Sequence, residues 1–348
     1  MLAFFCKIGY NKQEDKIGST FMRKLALGLA ALIVAAAACF GSCQKNKKDW
    51  DVYMPDGAPA LAFALPMSED NDNDGLEYHV VAATSIQAYV TGKTPDAEVC
   101  VLPVNLAAKL LGDGSTYQMV GVATHGNLYL VSQDNVQYTQ KNVSTLIGKT
   151  IGVAQLNNVP GLTLKAALEA LDVPYNDLSS GGAAKEDAVN LRAANPLQLS
   201  GADLYLLPSP VAEQKSAQGL SIVGSLQQIY GGENGYPQAA IVAKKSVLEK
   251  DAGKLSALLA KVDANTAWLK TAKKETIINA VAAHLPEGMK PTFTAATLTD
   301  EVITHCGVWM QYMDENAVVQ VDEFLKRLTI IDGEKAAVPV SSFYRMCK

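Results

Sequence analysis

Arginine, histidine and long apolar runs are what this sequence has least of. Its 30 basic side chains include only Arg23, Arg192, Arg327 and Arg345 as arginines, and none of the last three adjoins a polar loop that could form a site. A carboxylate ligand is normally clamped by a bidentate guanidinium, so amino acids are disfavoured as ligands. The 4 histidines, His79, His125, His284 and His305, are scattered, which argues against a metal-uptake site and leaves no metal or cofactor expected. No stretch reaches the roughly 18 consecutive apolar residues of a spanning helix. Also missing are a Ser-His-acid pattern, a P-loop, an HExxH helix and paired carboxylates in the site loops, so the simplest catalytic schemes have no residues to run on. The chain is therefore not expected to be an enzyme.

The longest apolar run, Leu25 to Ala38, follows Met22-Arg23-Lys24 and has the length of a secretory h-region. Phe40-Gly41-Ser42-Cys43 closes it with small residues before a Cys, the pattern that lipoprotein processing recognises. Cys43 is expected to become the lipidated N-terminus, with Cys39 as the competing site. Residues 1–21, which include Lys7, Glu14 and Asp15, do not fit in front of a signal. They read as an extension upstream of the true start at Met22, with 22–42 the signal peptide. Residues 43–49 are a polar tether too poor in apolar surface to offset its ordering entropy. Removing 1–42 leaves 25 basic against 33 acidic groups, a charge of −8. Nucleic acid is a poor partner for such a surface.

What the sequence does have is a repeat. Ala97-Glu98-Val99-Cys100-Val101-Leu102-Pro103-Val104-Asn105-Leu106-Ala107 returns as Ala202-Asp203-Leu204-Tyr205-Leu206-Leu207-Pro208-Ser209-Pro210-Val211-Ala212. Each copy is an acid, an apolar run fit for a strand buried on both faces, a Pro stop and a helix entry. Pro59 and Pro160 each stand where a further helix would begin, their preferred position. Strands are expected at Val52–Met54, His79–Ala83, Val99–Leu102, Met119–Ala123, Leu128–Val131, Thr150–Val153, Leu204–Leu207 and Gln238–Ala243. Helices are expected at Pro59–Met67, at Ile86–Val90 with Thr84-Ser85 as cap, at Leu106–Leu111 and at Leu162–Leu171. The C-terminal third reads as helical: Leu255, Leu258, Leu259 and Val262 fall on one face, and Trp309, Tyr312 and Met313 line up similarly, as core. An α/β lobe built twice offers a cleft between the copies as a ligand site.

Met54-Pro55-Asp56-Gly57-Ala58-Pro59, Thr84-Ser85, the two Leu-Pro copies, Leu146-Ile147-Gly148-Lys149-Thr150-Ile151-Gly152-Val153 and Pro237-Gln238-Ala239-Ala240-Ile241-Val242-Ala243-Lys244-Lys245 occur in this order behind the lipobox. In that order they resemble the substrate-binding lipoproteins of ABC transporters, in the group of sulfonate, nitrate and thiamine-pyrimidine binders. The resemblance spans about residues 50–345. It implies a periplasmic-binding-protein type 2 fold: two lobes, each a mostly parallel sheet flanked by helices, with a hinge that closes on ligand. It places crossovers near Val131–Tyr138 and Tyr236–Gln238, so that residues 50–133 plus 238–348 form the first lobe and 134–237 the second. It further implies a monomer on the outer side of the cell membrane, held there by its lipid and delivering a small molecule to a permease. A sensor or adhesion lipoprotein, or an enzyme on the same fold, is the alternative.

In open parallel sheets ligands lie beyond the carboxyl ends of the strands. The loops there supply Asp56, Gly57, Ala58, Thr84, Ser85, Asn105, His125, Asn127, Asn157, Asn158 and Ser209 as candidate ligand-binding residues. Asp56 is the only charged side chain among them. A small oxyanion held by helix N-terminal amides, or a neutral or heterocyclic compound, fits this set. His125 reads either as a ligand contact or as a satisfied structural residue, whereas His79, His284 and His305 read as structural. Asp70-Asn71-Asp72-Asn73-Asp74-Gly75 starts like a calcium loop, but Val81 stands where the bidentate Glu belongs, and a solvated turn is the plainer reading. Cys100 reads as a small buried hydrophobe. A Cys306–Cys347 bridge is one pairing that an oxidising compartment would allow, and spacing does not decide it.

Overall fold

A computed structural model describes residues 49–71 and 74–347. The extension, signal, lipidation site at Cys43 or Cys39 and nearly all of the tether lie outside the described residues. Among the described residues twelve strands run as β1 Trp50–Pro55, β2 Leu76–Val81, β3 Val99–Pro103, β4 Tyr117–Thr124, β5 Leu128–Ser132, β6 Thr150–Ala154, β7 Tyr175–Asp177, β8 Val189–Ala194, β9 Leu204–Pro208, β10 Ser221–Ser225, β11 Ala239–Lys244 and β12 Val308–Tyr312. Between and after them come helices α1 Ala58–Leu61, α2 Ala64–Ser68, α3 Val104–Leu111, α4 Val159–Ala170, α5 Val211–Ala217 and α6 Leu226–Gly231. The C-terminal third adds α7 Lys245–Lys250, α8 Ala252–Trp268, α9 Lys274–Ala282, α10 Asp300–His305 and α11 Glu315–Ile331. No helix among the described residues is long and apolar enough to cross a membrane.

The strands form two six-stranded sheets, in the orders β12-β4-β11-β3-β1-β2 and β10-β5-β9-β6-β8-β7. Within them, β2-β1-β3-β11-β4 and β8-β6-β9-β5-β10 have the same plan. The first strand pairs in parallel with the second and the third, and one antiparallel strand is inserted before the fourth. The repeated Leu-Pro segments are β3 and β9, the third strand of that plan in each sheet, and each is followed by a helix. Pro59 and Pro160 stand in the first turns of α1 and α4, where a missing N–H costs nothing.

Three expectations are corrected. Strand β5 hydrogen-bonds to β9 and β10, so the first crossover is His125-Gly126-Asn127 rather than Val131–Tyr138, and residues 128–133 belong to the second lobe. A continuous apolar strand can sit in either sheet, and only its partners decide which. Ser85 does not cap: its hydroxyl donates back to the Ala82 carbonyl at 2.9 Å, and Ile86–Tyr89 is a single 3-10 turn. Trp309 and Tyr312 lie on a strand, because Val308–Tyr312 pairs with the free edge of β4. Only Met313 of that trio is fully buried.

One core runs along a common face of both sheets, from Leu102, Met119 and Val122 through Leu128 and Leu130 to Val153 and Leu206. It is covered by α3, α4 and α11, the last contributing Ala317, Val321, Phe324, Leu325 and Leu328. The opposite face of the first sheet carries Val52, Met54, Val99, Val101 and Ile241 under residues from α1, α2, α8 and α9. Its counterpart on the second sheet is small: Tyr129, Val131, Ala154, Tyr205, Leu207 and Ala212.

Candidate functional site between the lobes

The carboxyl ends of the parallel strands in the two sheets carry every residue expected from the sequence, but their side chains do different work. Asp56 is spent within its own lobe: one carboxylate oxygen accepts from Gly57 N at 2.8 Å, the other from the backbone N–H and hydroxyl of Thr292, both at 2.8 Å. Gly57 holds a φ of 101° before open space, and Ala58 is buried. Thr84 is exposed and Ser85 partly so, while Asn157 and Asn158 are exposed at the entry to α4. Asn105 is buried at the start of α3. Its amide donates to the Lys335 carbonyl at 2.8 Å, and its oxygen finds no partner.

His125, Asn127 and Ser209 are gathered at the crossover. Ser209 N donates to the Asn127 carbonyl at 2.9 Å, and Asn127 Oδ1 accepts from Gln238 Nε2 at 2.8 Å, tying the two crossing segments together. The crossing backbone is clasped from two sides, since a side chain at Gly235 or at Gly307 would strike the carbonyls of His125 and Gly126. Both glycines have positive φ, 69° and 60°, which other residues rarely adopt. His125 is stacked on Trp309, centroids 3.6 Å apart and planes 15° from parallel. Its Nε2 lies 3.0 Å from Gln311 Oε1, and Gln311 is oriented in turn by donating to Gln320 at 2.8 Å. Burial pushes the imidazole down to about 4 against the opposing pull of Gln311. The ring is therefore neutral at pH 7, with Nε2–H donating to Gln311 and Nδ1 left as an acceptor; Nδ1 is buried without a partner.

Beside this crossover a cavity of about 600 Å³ opens with walls from both lobes. The second lobe contributes Tyr129, Gln137, Ser225 and Gln228; the first contributes Thr266, Lys270, His305 and Trp309. Tyr129 stacks on His305 at 4.3 Å and donates to its carbonyl at 3.2 Å. His305 Nδ1 lies 2.6 Å from Glu213 Oε1. These contacts bridge the lobes. Thr266 Oγ1, like His125 Nδ1, is a buried polar atom of this wall without a partner. Both atoms are out of solvent's reach behind the cavity surface, unlike most buried polar groups in having no hydrogen bond. Nothing in the local sequence singles out Tyr129, Lys270, His305 or Trp309 as cavity wall. Trp309 and His125 come from distant segments, and only the pairing of β12 with β4 brings them together.

Cys306 is fully buried, its thiol 4.0 Å from the Ser209 hydroxyl and pushed up to about 12 by burial. Cys347 donates to the Val120 carbonyl at 3.3 Å. Both are free thiols, as is Cys100, so the Cys306–Cys347 bridge does not form. Of the calcium-like run, Asp72 and Asn73 lie outside the described residues. Asp70 meets His284 at 3.2 Å, and Asp74 accepts from Leu76 N at 3.0 Å.

No family model matches the chain, and no curated protein matches it. Solved structures do. An ABC transporter protein from Parabacteroides distasonis superimposes with a TM-score of 0.62 at 17% identity, over 86% of this chain and 100% of the other. The periplasmic aliphatic sulphonate binding protein SsuA of Escherichia coli does so with a TM-score of 0.54 at 12% identity, covering 83% and 94%. The enzyme DszB in complex with biphenyl-2-sulfinic acid gives 0.51 at 13% identity, covering 85% and 96%. The fold is thus that of periplasmic binding proteins, with two mixed α/β sheets flanked by helices, and it carries both transport components and an enzyme.

Proposed function

We propose that this chain is the solute-binding component of an ABC importer, an extracytoplasmic lipoprotein anchored through Cys43 that captures a small molecule between its lobes and presents it to a permease. The observation that carries the reading is the cavity at the crossover, whose walls come from both lobes. A ligand there touches both halves of a hinged body, which is how binding biases closure. The wall is amide- and aromatic-rich, with Lys270 as its one lysine and no arginine. That suits a neutral or heterocyclic compound stacked on aromatic rings, or a small oxyanion met by Lys270. Asn105, whose oxygen lacks a partner, and Asn158 are proposed as further contacts from opposite lobes.

An enzyme on this fold is the second reading, and Cys306 is the observation that bears on it. Its thiol is held protonated by burial, and the neighbouring imidazole of His305 is engaged by Glu213. A nucleophile needs the opposite environment. We therefore read the chain as a binder without catalytic residues.

The test strips the purified chain of bound compounds by unfolding and refolding, then screens small metabolites by thermal shift. A true ligand present at a hundred times its dissociation constant adds about 2.7 kcal/mol, and small-angle scattering should show the lobes compacting. Gln228→Ala and His125→Ala should each weaken binding. Binding that survives both places the ligand outside the crossover cavity. Binding that also survives Asn105→Ala and Asn158→Ala rejects an interlobe site altogether. Conversion of the bound compound into a product would replace the transport reading with the enzyme one.

A further inference from the structure

At the far edge of the first sheet, away from the crossover, β1 and β2 pair in parallel with Asp51 beside Glu77 and Tyr53 beside His79. With side chains alternating along each strand, these four share one face of the sheet. One carboxylate oxygen from Asp51, one from Glu77 and an imidazole nitrogen of His79 all lie within 4.8 Å of one another. We propose that Asp51, Glu77 and His79 form a site for a divalent transition cation of the zinc class.

The chemistry of the donors selects the ion. A nitrogen with two carboxylate oxygens suits zinc and its first-row neighbours, whereas calcium asks for six to eight oxygens. His79 Nε2 now lies 2.8 Å from Asp51 Oδ1, so a proton stands where a cation would bridge the same two atoms. The ring is already oriented: it stacks on Tyr53 at 4.3 Å, and Tyr53 on Tyr89 at 4.1 Å. Among the described residues, neither Asp51 nor Glu77 has a lysine or arginine partner; the ion pair of Asp51 is with His79 itself. The field of two close carboxylates is left for a cation to neutralise.

A second observation points to a ligand at the same place. Glu77, His79, Tyr53 and Tyr89 line a cavity of about 640 Å³, room enough for a hydrated ion and the waters completing its coordination.

The full chain in detergent, freed of metal with a chelator, is titrated with Zn²⁺ by calorimetry and with Co²⁺ by visible absorption. The wild type should bind at this site and melt at a higher temperature with Zn²⁺. Even outer partners of metal ligands are worth about 10–100-fold in affinity, so His79→Ala should weaken binding by at least that range's lower end and remove the Co²⁺ band. Glu77→Gln should weaken it comparably, and Glu77 is exposed, so this variant keeps the fold if His79→Ala does not. His125→Ala and His305→Ala, both beside the crossover cavity, should leave it unchanged. Unaltered affinity in Glu77→Gln, or a loss in His305→Ala equal to that in His79→Ala, would overturn the assignment.

Discussion

The two lobes share a strand order and differ in how they are covered. The first sheet is sandwiched, with Ile241 and Val101 under several helices on one side and Leu102 and Met119 on the other. The second sheet rests on the shared core but keeps only a six-residue cluster around Leu207 on its opposite face. The duplication therefore preserved backbone pairing and let the burial diverge. Strand order needs only the ladder, while burial depends on what the chain adds afterwards. Here the addition is the C-terminal third, which thickens the first lobe and sends α11 across to the second.

The largest effect should come from cutting that crossing element. Phe324 stacks on Tyr236 at 5.4 Å, joining α11 to the return crossover. Phe324→Ala should cost about 3–5 kcal/mol and split a single calorimetric transition into two, one per lobe. A single transition at lower temperature would mean that the lobes are coupled elsewhere. Next comes the asymmetry itself. Ile241→Ala should cost about 2–5 kcal/mol, and Leu207→Ala should fall near the lower end of that same range because its thinner surroundings collapse more readily; denaturant melts of the two variants compare them directly, and equal losses would break the contrast.

The most gradual effect is that of pH at the crossover. The folded-state value of His125, about 4, lies below its ordinary 6.5, so the unfolded chain takes up the proton first as pH falls. The stabilisation is complete above pH 6.5 and is lost as pH drops toward 4, by at most about 1.4 kcal/mol per pH unit for one proton. His125→Gln should flatten that slope in melts between pH 7 and pH 4.

The fold was largely legible in the sequence. The Leu-Pro copies are β3 and β9 because an apolar run stopped by Pro needs only local chemistry to be recognised. The lobe boundary was misread at Leu128–Ser132 because both sheets accept such a run. Of the residues expected at the strand ends, His125, Asn127 and Ser209 meet at the crossover, while Asp56 is hydrogen-bonded to Thr292, 236 positions away in the chain. Trp309 reads as helix core from sequence because an aromatic at helical spacing also fits a strand alternating between solvent and sheet.

The contacts of α11 with α3 in one lobe and α4 in the other bear on how far the halves can swing. A rotation of one against the other must shear a greased apolar seam that includes Val321, Phe324 and Leu328, giving up close packing on at least one side. Such a body behaves less like a free clamshell than like a book with a stiff spine. Any closing motion that a guest brings about has to carry this seam with it.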